Sequence, residues 1–355
     1  MKSFLKKKIF FFKKNIINSK RIFHKCVIWF LVIKVKNKIS IGECNPIIEE
    51  NNLAKYEQEL LCLSQRINLI QKQEICYYYN YINYSSILFG LEQVLLGLKK
   101  QFPIFYKSKF TIGQEGIPIN YVIWLNKDVN DLIHKIKLKY NLGFSSFKIK
   151  INLKYFDDQY NALKQISDTY PAIKVILDAN ECFKNYDIAL CYIKKLEKIK
   201  IIHSIEQPIK SKNWNEMSKI CKNSKIPITL DEELFSVNEI TKKKNLLDII
   251  NPKYIVLRPN INWGFNGVKE WILEAEKRHI NWKVSSSLET TIGMNVISQW
   301  LYYVFNKKMN DNLLPIHHGL ITQHFVNDIR LPLTMKNGYL FCKYDQKTWN
   351  IINLI

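Results

Sequence analysis

The feature that most limits what this chain can become is a rhythm that sets in near Pro118. A short apolar run, a turn and an amphipathic stretch recur about every 25–30 residues. The runs are 121–125, 146–151, 174–177, 201–205, 226–230, 254–257 and 282–285. Between two of them, Val129, Leu132, Ile133, Ile136 and Tyr140 follow helical spacing, with Gly143 placed to end the helix. Another helix is expected over 267–278. Seven or eight such units imply a parallel sheet, and at 355 residues closure into a barrel is the natural architecture. A doubly wound sheet would want a glycine-rich phosphate loop after its first strand. Glycine totals 11, and neither GxGxxG nor GxxxxGK[ST] occurs. The expectation is α/β, a (β/α)7–8 TIM-like barrel.

The flanks read differently. Residues 1 to about 50 are strand-like, with β-branched and aromatic residues over 27–35 and a turn expected at Asn37-Lys38. Helices are expected over 53–73 and 85–101, where Leu88, Leu91, Val94, Leu95 and Leu98 share a face. After Gly319 the rhythm is lost; Asn337-Gly338 and the run 339–342 read as a turn and a strand. The expected division is an α+β capping domain at 1–113, the barrel at 114–318, and a segment at 319–355 that returns to the cap.

Composition excludes several classes. Eight cysteines without a CxxC pair argue against a zinc ribbon or disulfide framework and fit a reducing cytoplasm. Phe10, Phe11 and Phe12, closed by Lys13 and Lys14, are too few for a signal-peptide core, and no run approaches a membrane span. A cytoplasmic protein without membrane insertion is expected. The net charge of +22 does not imply nucleic acid as a partner. Only five of the 53 basic residues are arginine, the residue suited to bidentate phosphate and base contacts, and lysine abounds together with Ile and Asn.

Active sites of βα barrels lie where the strands end. The run Phe147-Lys148-Ile149-Lys150 puts two lysines on one face, and if that face is interior their mutual repulsion depresses lysine pKa values towards base chemistry. The next three runs end in Asp178, Glu206 and Asp231, spaced 28 and 25 residues apart, one βα unit each. Three carboxylates on adjacent strand ends would converge and suit magnesium. One strand-end Asp alone is more often a helix cap; the conjunction favours a site.

The segments KIK (148–150), LDAN (177–180), IEQP (205–208) and LDEE (230–233), with Gly42-Glu43 followed by Pro46 and the run 285–293, resemble the enolase superfamily. They are similar to its branch of o-succinylbenzoate synthases, muconate-lactonizing enzymes, acylamino-acid racemases and dipeptide epimerases. The resemblance implies Mg2+ (Mn2+ possible) on Asp178, Glu206 and Asp231. It implies Lys150 as base, Lys148 as its neighbour on the substrate carboxylate, Asn180 and Glu232 behind these groups, and Ser286 and Ser287 as substrate contacts. The substrate would be a small-molecule carboxylate. Gly319-Leu320, Asn327-Asp328-Ile329 and 331–333 lean towards the o-succinylbenzoate synthases of menaquinone biosynthesis. These dehydrate 2-succinyl-6-hydroxy-2,4-cyclohexadiene-1-carboxylate to 2-succinylbenzoate. The alternatives are a racemase, epimerase or cycloisomerase of the same superfamily, or a barrel that has lost catalysis.

One departure discriminates. The sixth run ends Arg258-Pro259, where the family usually has lysine on the face opposite the KxK pair. Arginine stays protonated, so it cannot serve as the second base of a racemase, whereas a syn dehydration can use Lys150 twice. Residues 18–21 fall near the family's mobile cap loop without matching it, and 321–324 lack the expected glycines. Of the adjacent His317 and His318, at most one can face inward.

Overall fold

The computed structural model describes residues 2–17, 22–46, 52–66, 78, 81–100, 102–124, 129–235, 237–306, 316–320, 324–326, 328 and 333–343. Strands β1 (Lys2–Ile17), β2 (Ile22–Val35) and β3 (Lys38–Cys44) form an antiparallel sheet in the order β1-β2-β3. The β2–β3 turn is Lys36-Asn37, one residue earlier than expected, since Val35 pairs with Lys38. Residues 26–33 of β2 read as unbroken apolar sequence because both faces are covered there. Trp29, Leu31 and Ile33 pack with Tyr56 and Leu60 of α1 (Leu53–Gln65) and Leu88 and Leu91 of α2 (Ser85–Lys100). Ile28, Phe30 and Val32 pack on the other side with Phe10, Ile292 and Phe325. The helix expected to reach residue 73 is seen to Gln65; residues 67–73 lie outside the described residues, as do 18–21, 321–323, Asn327, Ile329 and 331–332.

Strand β4 (Ile117–Pro118) leads into seven parallel strands: β5 (Tyr121–Ile123), β6 (Ser146–Lys150), β7 (Lys174–Asp178), β8 (Ile202–Glu206), β9 (Ile228–Leu230), β10 (Tyr254–Leu257) and β11 (Asn281–Val284). They lie side by side in chain order. Helices α3 (Val129–Asn141), α4 (Phe156–Thr169), α5 (Tyr186–Leu196), α6 (Trp214–Asn223), α7 (Ile240–Ile250), α8 (Gly264–Glu276) and α9 (Thr291–Asn306) follow the strands one by one. Gly143 lies past the end of α3 at φ +84°, the conformation that ends a helix there. α8 begins three residues earlier than the sequence suggested.

This is an α/β fold with a curled parallel sheet and a separate antiparallel N-terminal sheet. The curl is visible in a contact between strands three places apart: Lys283 of β11 lies 3.2 Å from Glu206 of β8. In a flat sheet those strands would be about 14 Å apart. Residues 318–319 bridge both edges, His318 to Ile119 and Gly319 to Ser285. His318 is buried and its Nδ1 accepts from the Val284 N–H, while His317 is half-buried.

The C-terminal segment divides its contacts. Residues 324–326 run against β1 through a Phe12–Phe325 bridge. The hairpin β12 (Leu333–Lys336) and β13 (Tyr339–Cys342), turned by Asn337-Gly338 as expected, pairs with β4. Among the described residues no helix is long and apolar enough to cross a membrane, and the cysteines are free thiols.

Two glutamates join the N-terminal unit to the parallel-sheet unit, each at a helix N-terminus where backbone N–H groups lack helical partners. Glu43 of β3 accepts from the N–H groups of Thr290 and Gly293, both at 2.9 Å, at the start of α9. Glu92 of α2 accepts from the N–H groups of Phe265 and Asn266 at the start of α8. Burial pushes the Glu92 carboxyl up to about 7 against the opposing backbone hydrogen bonds.

Gly264 has φ +69°, and a Cβ there would lie 2.2 Å from Glu92 Oε2. Gly264→Ala is therefore expected to cost about 1–3 kcal/mol in urea unfolding. Because the folded Glu92 binds its proton more tightly than the unfolded one, its contribution is greatest at low pH and is lost as pH rises from about 4.5 through about 7. Glu92→Gln is expected to flatten that part of the melting-temperature profile; an unchanged slope would contradict the assignment.

Candidate active site

Strand register sets the site. Lys150 pairs with Asp178, and Asp178 with Glu206, so the ends of β6, β7 and β8 are level. Glu206 pairs with Thr229 of β9, two residues before Asp231. Gln207 fixes that last step: its Oε1 accepts from the N–H groups of Asp231 and Glu233, each at 3.1 Å. The side chain after one acidic strand end thus anchors the backbone of the next.

The five charged residues expected on these four strands come together and are buried. Lys148 Nζ lies 2.8 Å from Asp178 Oδ2 and 2.5 Å from Glu206 Oε1. Lys150 Nζ lies 2.6 Å from Asp178 Oδ2 and donates to Asn180 Oδ1 at 2.6 Å. Asn180 Nδ2 in turn donates to Glu232 Oε1 at 2.9 Å. Arg258 grips Asp231 through two bonds, Nε to Oδ1 at 2.8 Å and Nη2 to Oδ2 at 2.6 Å, and Nη1 donates to the Ser286 carbonyl. Its guanidinium therefore closes on a carboxylate of the cluster. Ser286 Oγ donates to the Gly319 carbonyl at 3.2 Å, and the buried Ser287 Oγ has no hydrogen-bond partner among the described residues.

The electrostatics correct one expectation. The lysine pair does not depress the Lys148 pKa. Burial lowers it, but Asp178 and Glu206 outweigh burial and hold it above the ordinary lysine range. Burial opposes ionisation of Glu206 and Asp231 as well, yet Lys148 and Lys283 keep the first below its usual pKa, and Arg258 the second. Glu232 goes the other way, up to about 8, through burial and the charges of Asp231 and Asp178.

Sequence reasoning missed Lys283. Its Nζ holds Glu206 Oε2 at 3.2 Å. The available signal was its place in the seventh apolar run, two residues before Ser285 and so on the same strand face. Trp124 was missed too; Lys150 Nζ stands 5.6 Å from the centre of its ring.

Three buried carboxylates from consecutive strand ends match a hard divalent cation in donor chemistry. Among the described residues no three acidic, imidazole or thiol groups form a ready-made cage. Each carboxylate is closed by a cation, so an ion would exchange places with those partners.

The chain belongs to the enolase superfamily: residues 131–342 match the family described as enolase C-terminal domain-like. It is 33% identical over 223 residues to the o-succinylbenzoate synthase of Desulfotalea psychrophila, a match covering 61% of this chain and 59% of that protein. It is 25% identical over 197 residues to the L-Ala-D/L-amino acid epimerase of Flavobacterium johnsoniae, covering 56% of this chain and 52% of that one. The crystal structure of MenC from Desulfotalea psychrophila superposes with a TM-score of 0.79 at 26% identity, covering 96% of this chain and 99% of that structure.

A double-mutant cycle checks the Arg258–Asp231 pair. Asp231→Asn is expected to cost about 3–5 kcal/mol of stability by leaving a buried guanidinium unpaired. The same change in an Arg258→Met background should cost less by about 1–3 kcal/mol; additivity would contradict the pairing.

Proposed function

We propose that this chain is a carbon–oxygen lyase of the o-succinylbenzoate synthase type, using Mg2+, with Mn2+ as a substitute. The substrate would be 2-succinyl-6-hydroxy-2,4-cyclohexadiene-1-carboxylate, the product 2-succinylbenzoate, and the role a step of menaquinone biosynthesis. The reading places the site on a (β/α)7–8 barrel with 318–319 as its eighth strand, capped by residues 1–113 and the C-terminal segment. The observation that carries it is the charge cluster: a lysine pair facing three buried carboxylates, with an arginine at the sixth strand end.

Asp178, Glu206 and Asp231 would hold the ion, which supplies positive charge to the substrate carboxylate as negative charge develops there. Lys150 is the base. Lys148, kept charged by its carboxylates, attracts the substrate carboxylate. Asn180, itself held by Glu232, orients the Lys150 amine. Lys150 takes the proton α to the carboxylate and returns it to the departing hydroxyl. The carbon–oxygen bond breaks, water leaves and the ring becomes aromatic. Ser286 and Ser287 lie beside Arg258 as candidate substrate contacts.

Arg258 favours dehydration over epimerisation. A guanidinium stays protonated in proteins, with or without Asp231 beside it, so Arg258 offers no base on the second face of the substrate carbon. A spectrophotometric dehydration assay tests the reading. Turnover is expected to stop with EDTA and to fall about 10²–10⁴-fold in Lys150→Ala. N-succinylamino acids in D2O should show no α-deuterium exchange with inversion. Metal-independent turnover, or an unaffected Lys150→Ala, would contradict the assignment.

A further inference from the structure

The mechanism leaves one cation of the cluster unused. Lys283 is buried on β11 and reaches across the interior of the curled sheet to Glu206 Oε2, 3.2 Å away. Glu206 does not need it for neutralisation, because Lys148 already lies 2.5 Å from the other oxygen. Arg258 answers Asp231, and Lys150 shares Asp178 with Lys148. Each carboxylate therefore already has a basic partner, and Lys283 is a further one. Taking an ammonium out of water is costly, and Glu206 Oε2 is the partner that returns that cost for Lys283.

Two consequences follow for an incoming divalent cation. Neither oxygen of Glu206 is free, and an ion that takes Oε2 displaces the Lys283 ammonium and leaves it buried without a carboxylate. An anionic substrate offsets that cost, since a carboxylate it brings can face the displaced ammonium. On the functional reading above, we propose that Lys283 is a positioning residue that holds Glu206 Oε2 and makes divalent-ion binding conditional on a dicarboxylate ligand. Ion and ligand then strengthen each other's binding by the same factor, as linkage requires.

Calorimetric titration of Mn2+ into the full-length protein, with and without saturating 2-succinylbenzoate, tests this. In the wild type the ligand is expected to tighten Mn2+ binding about tenfold or more. In Lys283→Met, Mn2+ alone should bind about tenfold more tightly, and the ligand's enhancement should shrink by a similar factor. Lys283→Arg, which keeps the charge, should retain the wild-type coupling; a purely structural lysine would not move ion affinity in this pattern. If Lys283→Met does not fold, Lys283→Gln serves, with the Mn2+-induced rise in melting temperature as readout, expected to exceed that of the wild type. Unchanged or weaker Mn2+ affinity without Lys283, in a protein whose wild type binds Mn2+ and turns over substrate, would overturn this inference alone. A wild type that neither binds Mn2+ nor dehydrates the substrate would overturn the functional reading with it.

Discussion

Three carboxylates buried at the ends of adjacent strands are tolerable only because cations face each of them. Desolvating an ion costs several kcal/mol after relaxation, and hydrogen-bonded pairing is what returns it. Asp178, Glu206 and Asp231 are nearly inaccessible, and Lys148, Lys150, Lys283 and Arg258 meet them at 2.5–3.2 Å. The parallel register that aligns Lys150, Asp178 and Glu206 makes this possible, and Gln207 carries the alignment on to Asp231.

The N-terminal unit is tied to the same end of the molecule by a different device. Glu43 and Glu92 cross sequence separations of well over a hundred residues to satisfy the first turns of α9 and α8. Asp328 adds a second carboxylate at the start of α9, accepting from Thr291. Trp124 connects the two arrangements: it packs with the apolar cluster of Phe10, Phe12, Ile292 and Phe325, and its ring faces Lys150. A substitution at this junction therefore reaches the candidate base through a single side chain.

Most of the strand order was legible because buried parallel strands are short apolar runs, and a charged residue at the end of such a run stands out. All seven runs became strands with small shifts at their ends. What the sequence hid depends on contacts between elements that are not neighbours. Lys283 looked like one more lysine in a lysine-rich chain until the curl of the sheet brought β11 opposite β8. The direction of the Lys148 pKa depends on how closely Asp178 and Glu206 approach it, a distance that residue spacing alone does not contain. The grip of Arg258 on Asp231 was hidden because it needs two strand ends at once. Glu92 gave no signal at all; its role lies in the left-handed turn at Trp263 and Gly264 that presents the start of α8 to it.

The central claim is that these three carboxylates form one ion site whose present partners are the cluster's own cations. Anomalous diffraction from a crystal grown with Mn2+ and 2-succinylbenzoate tests it most directly. The expected result is a single manganese peak within about 2.3 Å of oxygens from Asp178, Glu206 and Asp231, with Arg258 withdrawn from Asp231. A peak elsewhere, or none while Arg258 and the lysines still hold all three carboxylates, would contradict the account.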